Sequence, residues 1–138
     1  MIMALSHITL VVKDLEKAAV FFEQIFDARE VYSSGDRTFS LAREKFFLIG
    51  ELWICIMEGE PLPKRSYNHI AFKIDKSEID DYLNKIRKTG VEIKPERPRV
   101  QGEGQSIYFY DFDNHLFELH TGTLEERLAC YEKTDNRT

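Results

Sequence analysis

Four histidines could take part in chemistry in this 138-residue chain, and two of them sit in matching surroundings. Ser6-His7-Ile8-Thr9-Leu10-Val11-Val12 sets against Asn68-His69-Ile70-Ala71-Phe72-Lys73-Ile74, with the two histidines 62 residues apart. Both segments have the β-branched and aromatic character of a buried or half-buried strand. If the halves that carry them pack with approximate two-fold symmetry, the imidazoles can converge on one point, as a metal site requires. A carboxylate for that point is offered by Glu118 in Phe117-Glu118-Leu119-His120. Side chains alternate along a strand, so Glu118 and His120 share a face, and an acid among Leu116, Phe117 and Leu119 is costly to bury unless paired or metal-bound. Taken singly, each residue has a plainer reading: a strand histidine with ordinary polar partners, or a surface glutamate on an edge strand. Together, two imidazoles and one carboxylate would hold a divalent cation and leave positions open for a substrate oxygen. Shifting back 62 residues from Glu118 lands on Ile56, so the first half offers no matching carboxylate.

Each histidine strand leads into a helical pattern. Asp14 is the candidate N-cap of a helix over Leu15 to Phe26, where Leu15, Ala18, Ala19, Phe22 and Ile25 recur at helical spacing. Asp75 or Ser77 could cap the second, whose stripe is Ile79, Tyr82, Leu83 and Ile86, stopped by Gly90. Extended runs follow: Glu30 to Tyr32, Thr38 to Ala42, Phe46 to Ile49 and Leu52 to Met57, then Val91 to Lys94, Ser106 to Phe112 and Leu116 to His120. Both halves read βαβββ, about 1–60 and 66–122. A half of that size has an open sheet edge and a thin core, so the expected fold is a single α+β domain over 1–133 in which the two modules build a curved mixed sheet around a metal site. Leu124, Leu128 and Tyr131 predict a terminal helix over Thr123 to Lys133, with 134–138 a flexible tail. The stretch Lys94 to Gly104 reads as a loop, either a solvated connector or a backbone that approaches something closely.

Composition narrows the function. With 43% hydrophobic and 31% charged residues the chain is an ordinary globular protein, and one domain's worth. A net charge of -5 gives no general attraction to polyanions, so neither nucleic acid nor membrane is an expected partner. Cys55 and Cys130 form no CxxC pair and read as reduced thiols. The opening Met1-Ile2-Met3-Ala4-Leu5 lacks a basic region and Lys13 and Asp14 follow too soon for a signal peptide, so the expected location is cytoplasmic.

The paired βαβββ halves with His7, His69 and Glu118 resemble the vicinal oxygen chelate superfamily. More narrowly, His-Ile-Thr-Leu at 7–10, Leu-Trp-Ile-Cys at 52–55, Tyr67-Asn68-His69, Ser106-Ile107-Tyr108-Phe109-Tyr110-Asp111 and the segment from Glu118 to Leu128 resemble the fosfomycin-resistance proteins. The run Phe39 to Phe47 and the loop Pro95 to Gly104 are similar to the X-type members, which add water to the epoxide instead of a thiol. The resemblance implies fosfomycin as substrate and a divalent metal, most often Mn(II), held by His7, His69 and Glu118, with no organic cofactor. Thr9, on the strand face of His7, would donate to the opening epoxide oxygen. Glu44 would be the general base, although Arg43-Glu44-Lys45 on its own reads as a charged turn. Tyr67, Ser106, Tyr108 and Arg127 are nominated for the phosphonate, and either Arg97 or Arg99 for a further positive charge. Pro98 and Gly102 replace the lysine-and-serine pattern of the thiol transferases, which speaks against a potassium requirement. Trp53 and Cys55 share a strand face and would wall the cavity, with core packing the simpler role for Cys55. In this superfamily one metal site often draws on two chains, so a domain-swapped homodimer is expected. The rival readings are a thiol transferase, a non-haem Fe(II) dioxygenase and a protein that sequesters the antibiotic unchanged.

Overall fold

Asp14 opens the first helix where its type and position predict, its carboxylate accepting from Lys17 N at 3.0 Å, in a computed structural model that describes residues 1–135. The chain divides into two compact units, Met1–Arg65 with Asp111–Asn114, and Ser66–Tyr110 with the chain from His115 on. The first unit runs β1 (His7–Val12), α1 (Leu15–Phe26), β2 (Arg29–Ser33), β3 (Glu44–Ile49) and β4 (Leu52–Glu58). Its strands lie in the order β1-β4-β3-β2, with β1 parallel to β4 and the other neighbours antiparallel. Val12, Phe22, Ile25, Phe47, Ile54 and Ile56 are fully buried between helix and sheet. Alternation then fixes the other face, which carries His7 and Thr9 on β1, Trp53 and Cys55 on β4, and Glu44 and Phe46 on β3.

The run Thr38–Ala42, expected to be extended, is a series of bends. It joins the antiparallel neighbours β2 and β3 beyond the Ser33–Lys45 end of their ladder, and no strand among the described residues pairs with it. Phe39 and Leu41 consequently face solvent.

The second unit repeats the plan: β5 (His69–Lys73), a 3₁₀ turn Lys76–Glu78, α2 (Ile79–Thr89), β6 (Ile93–Lys94), β7 (Ser106–Tyr110), β8 (Leu116–His120), then α3 (Leu124–Asp135). The strand order is β5-β8-β7-β6, with β5 parallel to β8. Asp75 caps the turn through a reciprocal box with Glu78, and Gly90 ends α2 at φ 78°. Strand β6 is two residues long because Pro95 and Pro98 follow, and proline has no N–H to give a ladder. His69, Glu118, His120, Ser106 and Tyr108 fall on one face of this sheet, and Ile107, Phe109, Phe117 and Leu119 on the other.

The ladders correct one equivalence. His7 lies opposite Trp53 and His69 opposite Leu116, so β4 and β8 correspond at a spacing of 63, and the counterpart of Glu118 is Cys55, not Ile56. The connection from β5 to β8 is one residue longer than that from β1 to β4. Helix α3 spans Leu124–Asp135, two residues past the expected end at Lys133, and the rest of the expected tail, 136–138, lies outside the described residues. Its expected apolar stripe is turned outward, with Leu124 and Leu128 exposed and Cys130 buried instead. None of the described helices is long and apolar enough to cross a membrane.

Candidate active site

In the first unit, the His7 ring stacks on Trp53 with centroids 4.2 Å apart, and its Nδ1 lies 3.0 Å from Ser6 Oγ. Thr9 stands opposite Cys55. Glu44 is only 8% exposed, far from a solvated turn residue. Its backbone is clamped from both sides by buried Ser34: the Ser34 hydroxyl accepts from Glu44 N at 3.0 Å and Ser34 N donates to Glu44 O at 3.0 Å. The flanking charges are occupied elsewhere. Arg43 binds Glu58 at 2.5 Å, and Lys45, on the opposite sheet face, binds Glu30 at 2.8 Å. The Cys55 thiol donates to the Glu44 carboxylate, 3.6 Å from Oε2. Burial and the nearby carboxylate push that thiol up to about 11, so it stays protonated and acts as a donor, not a nucleophile.

The second unit gathers more of the predicted residues. His69 Nδ1 lies 2.7 Å from the Tyr67 carbonyl, which can only accept, so Nδ1 carries the proton and Nε2 the lone pair. That Nε2 faces Glu118 Oε1 at 3.0 Å. Two lone pairs meeting at this distance are satisfied by a cation between them, or by a second proton on the ring. The separation equals that of adjacent ligands on an octahedral ion with bonds of roughly 2.1 Å. Imidazole and carboxylate are donors suited to a first-row divalent ion, and the Tyr67 carbonyl is the outer-shell partner that orients such a histidine. Among the described residues no three His, Cys, Asp or Glu side chains group as a metal set. His7 belongs to the first unit, His69 and Glu118 to the second.

Around Glu118 the hydrogen bonds run in one direction. Arg127 Nη2 donates to His120 Nε2 at 3.3 Å, which puts the His120 proton on Nδ1, 2.7 Å from Ser106 Oγ. Ser106 Oγ in turn lies 2.5 Å from Glu118 Oε2 and accepts from Arg99 Nη2 at 2.5 Å. The same Arg99 nitrogen reaches Tyr108 Oη at 3.0 Å and Glu118 Oε2 at 3.2 Å, and Tyr67 Oη meets Tyr108 Oη at 3.1 Å. Burial favours a protonated Glu118, but the Ser106 hydroxyl and the neighbouring His120, Arg99 and His69 hold it below its ordinary value. Burial pushes the Tyr108 phenol up to about 12, helped by Tyr67 and Glu118, so it remains a neutral donor. Burial lowers the His120 imidazole against the pull of Glu118, favouring its neutral form. A cavity of about 230 Å³ opens beside His120 and Arg127.

Of the two arginines left open by sequence, Arg99 bonds Ser106, Tyr108 and Glu118 directly, whereas Arg97 is bonded to Glu103 and the Pro98 carbonyl and touches the cluster through Tyr108 alone. Two residues at the cluster were not singled out from sequence. His120 had a signal, since it shares the Glu118 face. Glu103 had little beyond its place between Gly102 and Gly104, yet it is fully buried. Gly104 is held at φ +105°, and a Cβ there would lie 2.8 Å from Gly122 N. Gly104→Ala is therefore expected to cost about 1–3 kcal/mol, from the backbone strain alone at the low end, read by thermal or urea unfolding. An unchanged midpoint would mean that the loop does not press on Gly122.

The Glyoxalase/Bleomycin resistance protein/Dioxygenase superfamily profile matches residues 4–119, and the chain belongs to that superfamily. Within it the chain groups with the FosX fosfomycin resistance proteins. It is 68% identical over 133 residues to Fosfomycin resistance protein FosX of Listeria monocytogenes, covering 96% of this chain and 100% of that one. It is 62% identical to FosX of Mesorhizobium japonicum, over 94% and 93% of the two chains. Metallothiol transferase FosB of Shouchella clausii is more distant, at 38% over 97% and 90%. A crystal structure of a Glu-to-Gln variant of the Listeria monocytogenes FosX, complexed with Mn(II) and 1S,2S-dihydroxypropylphosphonic acid, superposes with a TM-score of 0.88 at 65% identity, covering 95% of this chain and 99% of that one.

Proposed function

We propose that this chain hydrolyses the epoxide of fosfomycin to the vicinal diol phosphonate with the help of Mn(II), and so confers fosfomycin resistance. The observation that carries this reading is near-full-length identity of 62–68% to FosX proteins, one of which has been crystallised with Mn(II) and the dihydroxypropylphosphonate. The much lower 38% identity to a metallothiol transferase favours water over a thiol as nucleophile.

In this reading His7, His69 and Glu118 are the metal ligands, and the bound ion supplies Lewis-acid polarisation of the epoxide oxygen. The chain's own residues do the rest. Arg99, whose Nη2 lies 2.5 Å from Ser106 Oγ and 3.0 Å from Tyr108 Oη, presents with them cationic and hydroxyl donors to the phosphonate dianion. Tyr67 orients Tyr108, and Arg127 adds positive charge through His120. Thr9 donates a hydrogen bond to the oxygen on which negative charge develops. Glu44, buried and free of a cationic partner in its immediate bonds, takes the proton from the attacking water. The working unit is a cytoplasmic homodimer in which His69 and Glu118 act with His7 of the partner subunit.

Dialysis against a chelator is expected to abolish hydrolysis, and stoichiometric Mn(II) to restore it. Full turnover by the metal-free protein would exclude the proposal. Oxygen uptake with a catechol and Fe(II) would indicate the dioxygenase instead.

A further inference from the structure

Glu103 is a carboxylate with no solvent exposure, set between two glycines in the loop before β7. A lone buried carboxylate is strongly disfavoured, so its partners tell what it is for. Its Oε1 accepts from Arg97, from Arg99 Nη1 at 3.2 Å and from the Tyr131 hydroxyl at 2.7 Å, with Arg127 Nε at 3.6 Å. Its Oε2 accepts from Val100 N at 3.0 Å. Burial works against its charge, but Arg97, Tyr131 and the Val100 amide bring the carboxyl down to about 2, so it is ionised throughout the physiological range.

The backbone beneath it is fixed as tightly as the side chain. Gly102 and Gly104 adopt φ +88° and +105°, and a Cβ on Gly122 would come within 2.5 Å of the Glu103 carbonyl oxygen. From α3, Cys130 Sγ reaches the Gln101 carbonyl at 2.5 Å. Arg99 is thus gripped at Nη1 by an immobile, fully buried acceptor, with the more exposed Glu96 3.3 Å from its Nε, while its Nη2 projects to Ser106, Tyr108 and Glu118. A guanidinium is planar and rigid, so fixing one nitrogen and the plane fixes where the other points.

We propose that Glu103 is a positioning residue: held by α3 through Tyr131, it sets the Arg99 fork so that its Nη2 edge meets the phosphonate. This rests on the reading of Arg99, Ser106 and Tyr108 as the phosphonate site. It has a direction of effect that distinguishes it from simple electrostatics. Removing a negative charge near a dianion would, through space alone, tighten substrate binding; losing the grip on Arg99 loosens it.

The test is steady-state kinetics with fosfomycin at saturating Mn(II), on Glu103→Gln, Arg99→Ala and the double variant. Glu103→Gln should raise KM about tenfold, the worth of one hydrogen bond to a charged group, with kcat changed less than about threefold. Added to Arg99→Ala, it should raise KM by less than about twofold more, because the two act as one unit. A KM that falls or stays put in Glu103→Gln, or that rises independently in both backgrounds, overturns the inference. If Arg99→Ala itself leaves KM unchanged, the phosphonate assignment falls and takes the inference with it; if only Glu103→Gln is silent, the assignment stands alone. Should Glu103→Gln not fold, Tyr131→Phe decides, with a KM rise of about threefold expected for one lost hydrogen bond and an unchanged KM contradicting the proposal.

Discussion

Glu44→Gln should lower diol formation by about 10²–10⁴-fold, the range that a positioned general base contributes, while Mn(II) and fosfomycin still bind. The amide keeps the size of the side chain and an oxygen for the Cys55 thiol, so the Ser34 clamp on the backbone and the packing of β3 are left in place. What it removes is the ability to accept a proton. Water needs that help far more than a thiol, which is already partly ionised near neutrality. Rate measurements by phosphorus NMR, together with Mn(II) and fosfomycin titrations of the same variant, separate lost chemistry from lost binding. Undiminished hydrolysis would remove Glu44 from the mechanism.

Glu118→Ala should be as damaging, by a different route. Its carboxylate is 4% exposed and faces His69 Nε2 on one oxygen and Ser106 and Arg99 on the other. Loss of an outer-shell partner alone costs roughly 10–100-fold in metal affinity, so loss of this ligand should weaken Mn(II) binding by at least that factor. Free Mn(II) counted by electron paramagnetic resonance during titration reads the effect directly. Thermal unfolding of the metal-free variant is a control, since Arg99 and Ser106 lose an acceptor. An unchanged Mn(II) affinity would show that Glu118 is not a ligand.

The modules were legible because their periodicity is local. Asp14, Asp75 and Gly90 mark helix ends through their own side chains or φ, and β8 follows from Leu116 to His120 as an uninterrupted strand pattern. Where the sequence misleads, the cause is tertiary. Thr38–Ala42 alternates like a strand, but no strand among the described residues pairs with it. The α3 stripe has helical spacing without specifying what it faces. The equivalence of Glu118 slipped by one residue because the connection lengths differ between the halves, which only the ladders reveal. At the candidate site, symmetry drew attention to His7 and His69, and alternation to Glu118. Glu44 was indistinguishable from a charged turn because its burial depends on Ser34, ten residues earlier. Glu103 was hidden for a similar reason: a loop glutamate acquires meaning only when arginines and a helix close around it.

Metal-dependent addition of water to the epoxide is read by phosphorus NMR of fosfomycin incubated with purified protein and Mn(II), with no thiol present. The fosfomycin signal should be replaced, over many turnovers, by that of the diol phosphonate. Unchanged fosfomycin, or conversion that begins only when a thiol is added, would contradict it.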